Sequence, residues 1–176
     1  MFPPDLIARA TELIARYRAA GLMATTAESC TGGLIAGLLT EIPGSSTVLE
    51  RGFVVYSNAA KQDLLGVPTK TLASYGAVSH ETAVAMAEGA LRASRAEVAV
   101  SVTGIAGPDG GSTAKPVGLV YFACARRGRP TAAREERFGD IGREAVRLAS
   151  VGVGVDLLEG ALSASGESEI PTVETL

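Results

Sequence analysis

Apolar residues recur at helical spacing in "DLIARATELIARYRAAG", where Leu6, Ile7, Ala10, Leu13, Ile14 and Tyr17 share one face between the turn-forming Pro3 and Pro4 and the terminating Gly21. The pattern predicts an amphipathic helix. "LMATTAES" then reads as a short strand that runs directly into "CTGG", and "GGLIAGLLTEI" as a helix closed by Pro43 and Gly44. A second strand is expected in "STVLERGFVVYS", followed by three helical stretches: "NAAKQDLLG", "TKTLASYG" and "SHETAVAMAEGALRAS", the last with Ser79 as N-cap. "AEVAVSVTG" is an apolar strand broken by the loop "IAGPDGGSTAKP". "VGLVYFACARRG" and "PTAAREERFG" flank a turn and predict a hairpin. A closing helix lies in "IGREAVRLASVGVGVDLLEGAL", weakened by Gly152 and Gly154 at about 1 kcal/mol each against alanine.

Helices between the early strands and a hairpin late in the chain predict an α/β fold, a single three-layer α/β/α sandwich on a mixed, mostly parallel sheet of about five strands. No internal repeat is present. At 176 residues with 47% apolar side chains, one core is expected. Residues 1–163 form the expected domain, and 164–176, "ASGESEIPTVETL", an acidic tail expected to be disordered. Taking the tail's Glu167, Glu169 and Glu174 from the 19 acidic residues leaves 16, equal to the 16 Lys and Arg. A neutral body lacks the basic stripe that nucleic acid requires, and the cluster Arg126, Arg127 and Arg129 reads as a solvated hairpin turn. No apolar run approaches the roughly 18 residues of a membrane span, and the N-terminus lacks a cleavable leader pattern. A cytoplasmic protein is expected, with Cys30 and Cys124 as free thiols and no metal-ligand spacing.

Three strands end in small or hydroxylated residues: "TAESCTGG", "GFVVYSNAAK" and "AVSVTGIAGPDGG". If these strands are parallel, Ser29, Tyr56, Lys61 and Thr103 gather at one crevice beyond their carboxyl ends. The Gly32-Gly33 turn offers backbone N–H groups to a phosphate or an oxyanion, with a plain strand-to-helix turn as the equal alternative. Ser29 and Cys30 are rival nucleophiles that spacing does not separate. His80, the one histidine, follows the Ser79 cap, where a polar residue needs no catalytic explanation. A base is therefore sought among Lys61, Lys70 and Lys115, which stand against thirteen arginines. Lysine, unlike arginine, is able to give up its proton. Lys61 follows the strand ending at Tyr56, where burial and a helix dipole would lower its pKa, although spacing alone favours a solvated surface charge there.

Six ordered blocks, "AESCTGG", "IPGSS", "GFVVYSNAAKQDLLGV", "GAVSHETAVAMAEGA", "SVTGIAGPDGG" and "KPVGLVYFA", resemble the C-terminal domain family of CinA, the competence/damage-inducible protein, which includes stand-alone nicotinamide-nucleotide amidases. The resemblance implies hydrolysis of nicotinamide mononucleotide to nicotinic acid mononucleotide and ammonia, with no metal or organic cofactor. It implies Ser29 as nucleophile, assisted by Lys61 and Tyr56, with Cys30 left to packing or the turn. Cys30, Thr31, Gly32, Gly33, Ser45, Thr103 and Gly104 are the expected substrate-binding positions, with their hydroxyls or backbone N–H groups on the oxyanion or the ribose-phosphate. Arg143 is the expected phosphate ligand. The family carries an arginine directly after its "GD" pair, whereas this chain reads "GDIGREAVR", which leaves the register open between Arg143 and Arg147. Family members often carry an N-terminal molybdopterin-binding-like domain, expected to be absent here. The expected partners are a small-molecule nucleotide and, by resemblance, further copies of the chain, with no nucleic acid or membrane. A non-catalytic nucleotide-binding module of the same fold is the alternative reading, and an amidase for a different carboxamide a third.

Overall fold

The computed structural model describes residues 2–163; the acidic tail lies outside the described residues. The chain runs α1 (Pro4–Ala20), β1 (Ala24–Glu28), α2 (Leu34–Thr40), a short 3-10 turn (Ser45–Thr47), β2 (Leu49–Val54), α3 (Asn58–Leu65), α4 (Thr69–Tyr75), α5 (His80–Arg92), β3 (Val98–Gly104), β4 (Leu119–Arg126), β5 (Ala132–Arg137) and α6 (Arg143–Ser163). Gly21 stops α1 in the left-handed conformation with φ 63°, and Ser79 caps α5 by accepting from the Thr82 N–H.

The sheet order is β2-β1-β3-β4-β5. β1 pairs in parallel with β2 and β3, and β4 pairs antiparallel with β3 and β5, so four of the five strands run the same way. From β1 the chain steps outward to β2, then crosses back to β3 on the other side. That reversal opens a crevice at the carboxyl end of β1.

Alternation along β3 builds two unlike faces. Val98, Val100 and Val102 point into the larger core, shared with Leu13, Ile14 and Tyr17 of α1, Ile35 and Leu38 of α2, and Val151, Val155 and Leu158 of α6. The opposite side of β3 carries Ala99, Ser101 and Thr103, and α5 lies close against it through Ala83, Met86, Ala87 and Ala90. Small residues there let Ser101 Oγ donate to the Ala83 carbonyl at 2.6 Å. Gly154 serves the other face, since a Cβ there would meet Ile35 Cδ1 at 2.7 Å. The glycine that weakens α6 intrinsically thus lets it approach α2.

The basic hairpin turn is less solvated in role than the sequence suggests. Arg127 donates to the carbonyls of Leu91, Ser94 and Ala96 at the end of α5, and Arg126 donates to Ala161 near the end of α6. Cations at helix C-termini meet unpaired carbonyls and the negative end of the dipole. Among the described residues no helix is long and apolar enough to cross a membrane.

Candidate active site

Ser29 continues the ladder by one residue, its N–H donating to Val102 O at 3.0 Å, while the Val55 N–H donates to Glu28 O at 2.8 Å. It therefore sits between the ends of β2 and β3. Strand alternation still governs side chains just past β1: Ser29 faces α3, and its neighbours Glu28 and Cys30 face α2 and the larger core.

Lys61 reaches Ser29 from the end of the first turn of α3. Its Nζ lies 3.0 Å from Ser29 Oγ, 2.8 Å from Val55 O and 3.4 Å from Tyr56 O. The residue is 1% exposed, so the expectation of a solvated surface charge is corrected. Helix α3, packed against α5, turns this side chain inward to the carbonyls that follow β2, and no sequence spacing announces that. Burial lowers the Lys61 pKa from its ordinary value, because an ammonium loses hydration in the interior.

Cys30 is 6% exposed and part of the larger core. Burial pushes its thiol up to about 12, with the Glu28 carboxylate adding to the shift. A helix N-terminus favours a thiolate, but at Cys30 desolvation outweighs the dipole, and the dipole is already engaged by another group.

That group is Glu28, 1% exposed. Oε2 accepts from Thr31 Oγ1 at 2.7 Å, Gly33 N at 3.1 Å and Ile35 N at 3.0 Å, and Oε1 from Ala36 N at 2.9 Å. The Gly32-Gly33 turn is thus no vacant anion site, because the chain's own carboxylate fills it. Gly32 and Gly33 are required for conformation, with φ of 62° and 96°. Thr31 is fully buried on Glu28, and its carbonyl accepts from Arg147 at 2.9 Å. Neither Thr31 nor the glycine pair presents a side chain to a ligand. A clue was available in the sequence: α2 begins after two glycines with no Ser, Thr, Asp or Asn to cap it. Its first N–H groups need a partner from elsewhere.

The crevice is a cavity of about 260 Å³ that gathers Ser29, Cys30, Tyr56, Lys61, Thr103, Gly104 and Arg143. Thr103 Oγ1 donates to Ala77 O at 2.7 Å and fixes the wall formed by Ala77 and Val78. A Cβ at Gly104 would meet Leu119 O at 2.9 Å, so glycine there serves the closeness of β3 and β4. Tyr56 is 63% exposed, and its hydroxyl accepts from Arg143 Nη2 at 3.4 Å; among the described residues the hydroxyl bonds neither Ser29 nor Lys61, and Tyr56 meets Lys61 through its backbone carbonyl. Arg143 also donates to Gly107 O at 2.9 Å. The two arginines of the register question differ in position: Arg143 lines the cavity, and Arg147 donates to the Thr31 carbonyl at the turn.

Ser45 is not brought to the crevice. It lies in the 3-10 turn that enters β2, and the adjacent Val48 carbonyl accepts from Ala24 at the start of β1. The amino ends of these strands lie roughly five residues, about 16 Å, from the carboxyl ends where Ser29 sits. His80 is exposed at the start of α5 and does not line the cavity. Asp109 and the clamp made by Lys115 were missed from the sequence: Asp109 lines the cavity, and Lys115 Nζ donates to Tyr75 O and Val78 O, both at 2.6 Å. The described residues contain no cluster of His, Cys, Asp and Glu suited to a metal ion.

Comparison with known proteins places these features in a wider group. The family model described as "CinA C-terminal domain" matches residues 7–162. The chain is 57% identical over 138 residues to the nicotinamide-nucleotide amidohydrolase PncC of Enterobacter agglomerans, covering 78% of this chain and 83% of that protein. PncC of Escherichia coli K12 is 57% identical over 131 residues, covering 74% and 78%. Among solved structures, the competence/damage inducible protein CihA from Agrobacterium tumefaciens superposes with a TM-score of 0.90 at 56% identity, covering 93% of this chain and 98% of that one. A CinA superfamily protein from Klebsiella pneumoniae superposes with a TM-score of 0.85 at 33% identity, covering 90% and 98%.

Proposed function

The chain belongs to the CinA C-terminal domain family, and on that premise we propose that it is a nicotinamide-nucleotide amidohydrolase, converting nicotinamide mononucleotide and water to nicotinic acid mononucleotide and ammonia. Relatives matched over most of both chains carry that activity in their names. The observation that carries the chemistry is the 3.0 Å contact between Lys61 Nζ and Ser29 Oγ.

The surroundings of Lys61 suit both protonation states. A neutral amine has two N–H donors for the carbonyls of Val55 and Tyr56, and its lone pair then faces the Ser29 hydroxyl. Ser29 Oγ attacks the carboxamide carbon as its proton passes to Lys61. The resulting ammonium has three donors for three acceptors. The oxyanion forms beside the backbone N–H of Cys30. Collapse breaks the C–N bond, Lys61 returns its proton to the departing nitrogen, and ammonia leaves an acyl ester on Ser29. Water, deprotonated by Lys61, hydrolyses that ester and restores both side chains. Tyr56 and Arg143 stand at the mouth, where Arg143 receives the phosphate.

A module that only bound the nucleotide would have no use for an amine withdrawn from water against a serine. Cytoplasmic location and self-association belong to the same proposal, the latter from the family resemblance. Ammonia release from nicotinamide mononucleotide by wild type, set against Ser29→Ala, tests it. The reading requires turnover in the first and loss in the second, and a folded wild type that releases no ammonia would overturn it.

A further inference from the structure

The cavity contains a charge that the reaction above does not use. Among its lining residues Asp109 is the one carboxylate, exposed and without an ion pair or hydrogen bond among the described residues. Arg143 lines the same cavity but donates to Gly107 O and the Tyr56 hydroxyl rather than to Asp109. The acceptor positions of Asp109 are therefore open.

Its place is held from both sides. Upstream, Ile105 exchanges backbone hydrogen bonds with Leu119 and Gly118, and Arg143 holds Gly107 O. Downstream, Ser112 and Lys115 bond each other reciprocally at 2.8 and 3.1 Å, and Lys115 Nζ fastens the loop to Tyr75 and Val78. Asp109 lies between these anchors, so its carboxylate is carried by a tethered wall.

The substrate proposed above has three parts: a carboxamide that must meet Ser29, a phosphate that suits a guanidinium, and a ribose between them. A carboxylate repels the phosphate, yet it accepts from paired hydroxyl groups with both oxygens, which is how acidic side chains hold the ribose of nucleotides in other folds. We propose that Asp109 is a specificity-determining residue that accepts hydrogen bonds from the ribose cis-diol, selecting ribonucleotides over 2′-deoxy and 2′-phosphorylated counterparts. The proposal rests on the site taking a pyridine mononucleotide.

The test separates the two claims. Binding of nicotinamide mononucleotide and its 2′-deoxy analogue is measured by calorimetry on Ser29→Ala, with and without Asp109→Asn, beside ammonia release by the same pairs in the Ser29 background. Wild-type Asp109 is expected to favour the ribonucleotide by roughly 10- to 100-fold, the range for hydrogen bonds to a charged group. Asp109→Asn removes that preference by weakening the ribonucleotide, leaves the deoxy analogue within about threefold, and acts on KM more than on kcat. Parallel losses for both nucleotides, no change for either, or no binding of either would overturn the role of Asp109. Discrimination without ammonia release would sink the amidase reading and keep Asp109; ammonia release without discrimination would do the reverse.

Discussion

Ser29 and Cys30 are adjacent in the chain and belong to opposite faces of the sheet: the hydroxyl meets Lys61 under α3, and the thiol is buried in the core shared by α2 and α6. One peptide step separates the reactive side from the packed side. Under the proposed function, strand alternation makes the choice between two chemically plausible nucleophiles, before any question of pKa arises.

That relationship sets the first expectation. Ser29→Ala should lower ammonia release by at least about a thousandfold with unchanged thermal stability, as expected for loss of a nucleophile. Cys30→Ala should retain activity within about tenfold and instead lower the melting temperature by roughly 2–4 °C, the shift expected for about 1 kcal/mol in a chain of this size. Iodoacetamide should leave the native Cys30 unmodified, since a thiol pushed up to about 12 offers little thiolate.

Lys61 gives the pH dependence. The reaction needs its neutral amine, and burial lowers its pKa below the ordinary lysine value. kcat/KM should therefore rise with pH through the lowered pKa of the folded enzyme and reach its plateau before free lysine would. Lys61→Arg keeps the positive charge and cannot release a proton, so it should be as inactive as Lys61→Met. A pH-rate profile on wild type and an activity assay on both variants check this.

Arg143 and Ser45 make a contrasting pair. Arg143→Ala should raise KM for the mononucleotide by roughly 10- to 100-fold, while leaving turnover of the corresponding riboside, which lacks the phosphate, nearly unchanged. Ser45→Ala should be silent in both assays, because its turn lies at the opposite end of β1 and β2.

Much of the fold was legible in the sequence. The helix of residues 4–20, the strand leading into Ser29 and the late hairpin all carry strong periodicity or turn residues. The crevice was legible too, because three strands ending in small polar residues imply a shared edge when they run parallel. What stayed hidden depends on the third dimension. Lys61 looks like a surface charge because α3 is short and polar, and only the packing of that helix against α5 turns the residue inward. Ser45 lies in a block that accompanies the reactive ones along the chain, yet a loop that enters a strand and a loop that leaves one occupy opposite ends of the sheet. Glu28 carries no role in the sequence reading, although an uncapped helix start five residues later was asking for a carboxylate.

Glu28→Ala should be the most destabilising of these changes, by about 2–4 kcal/mol, since three backbone N–H groups and the Thr31 hydroxyl lose their buried acceptor. Its vacated position should then accept a small anion. Formate or acetate should raise the melting temperature of the variant and have no such effect on wild type, which differential scanning fluorimetry would show.

The same carboxylate has a consequence for how the substrate arrives. Being tethered a few residues from the amides it holds, it competes against any free phosphate at a very high effective concentration, and it does so in every molecule at every moment. The helix start that many nucleotide-binding folds leave open as a landing point is here closed from within. Under the proposed function, a mononucleotide therefore approaches with its phosphate outward, toward Arg143 at the rim, and its carboxamide inward. Under the same proposal, the turn beneath Ser29 is expected to keep one shape whether the cavity is occupied or empty.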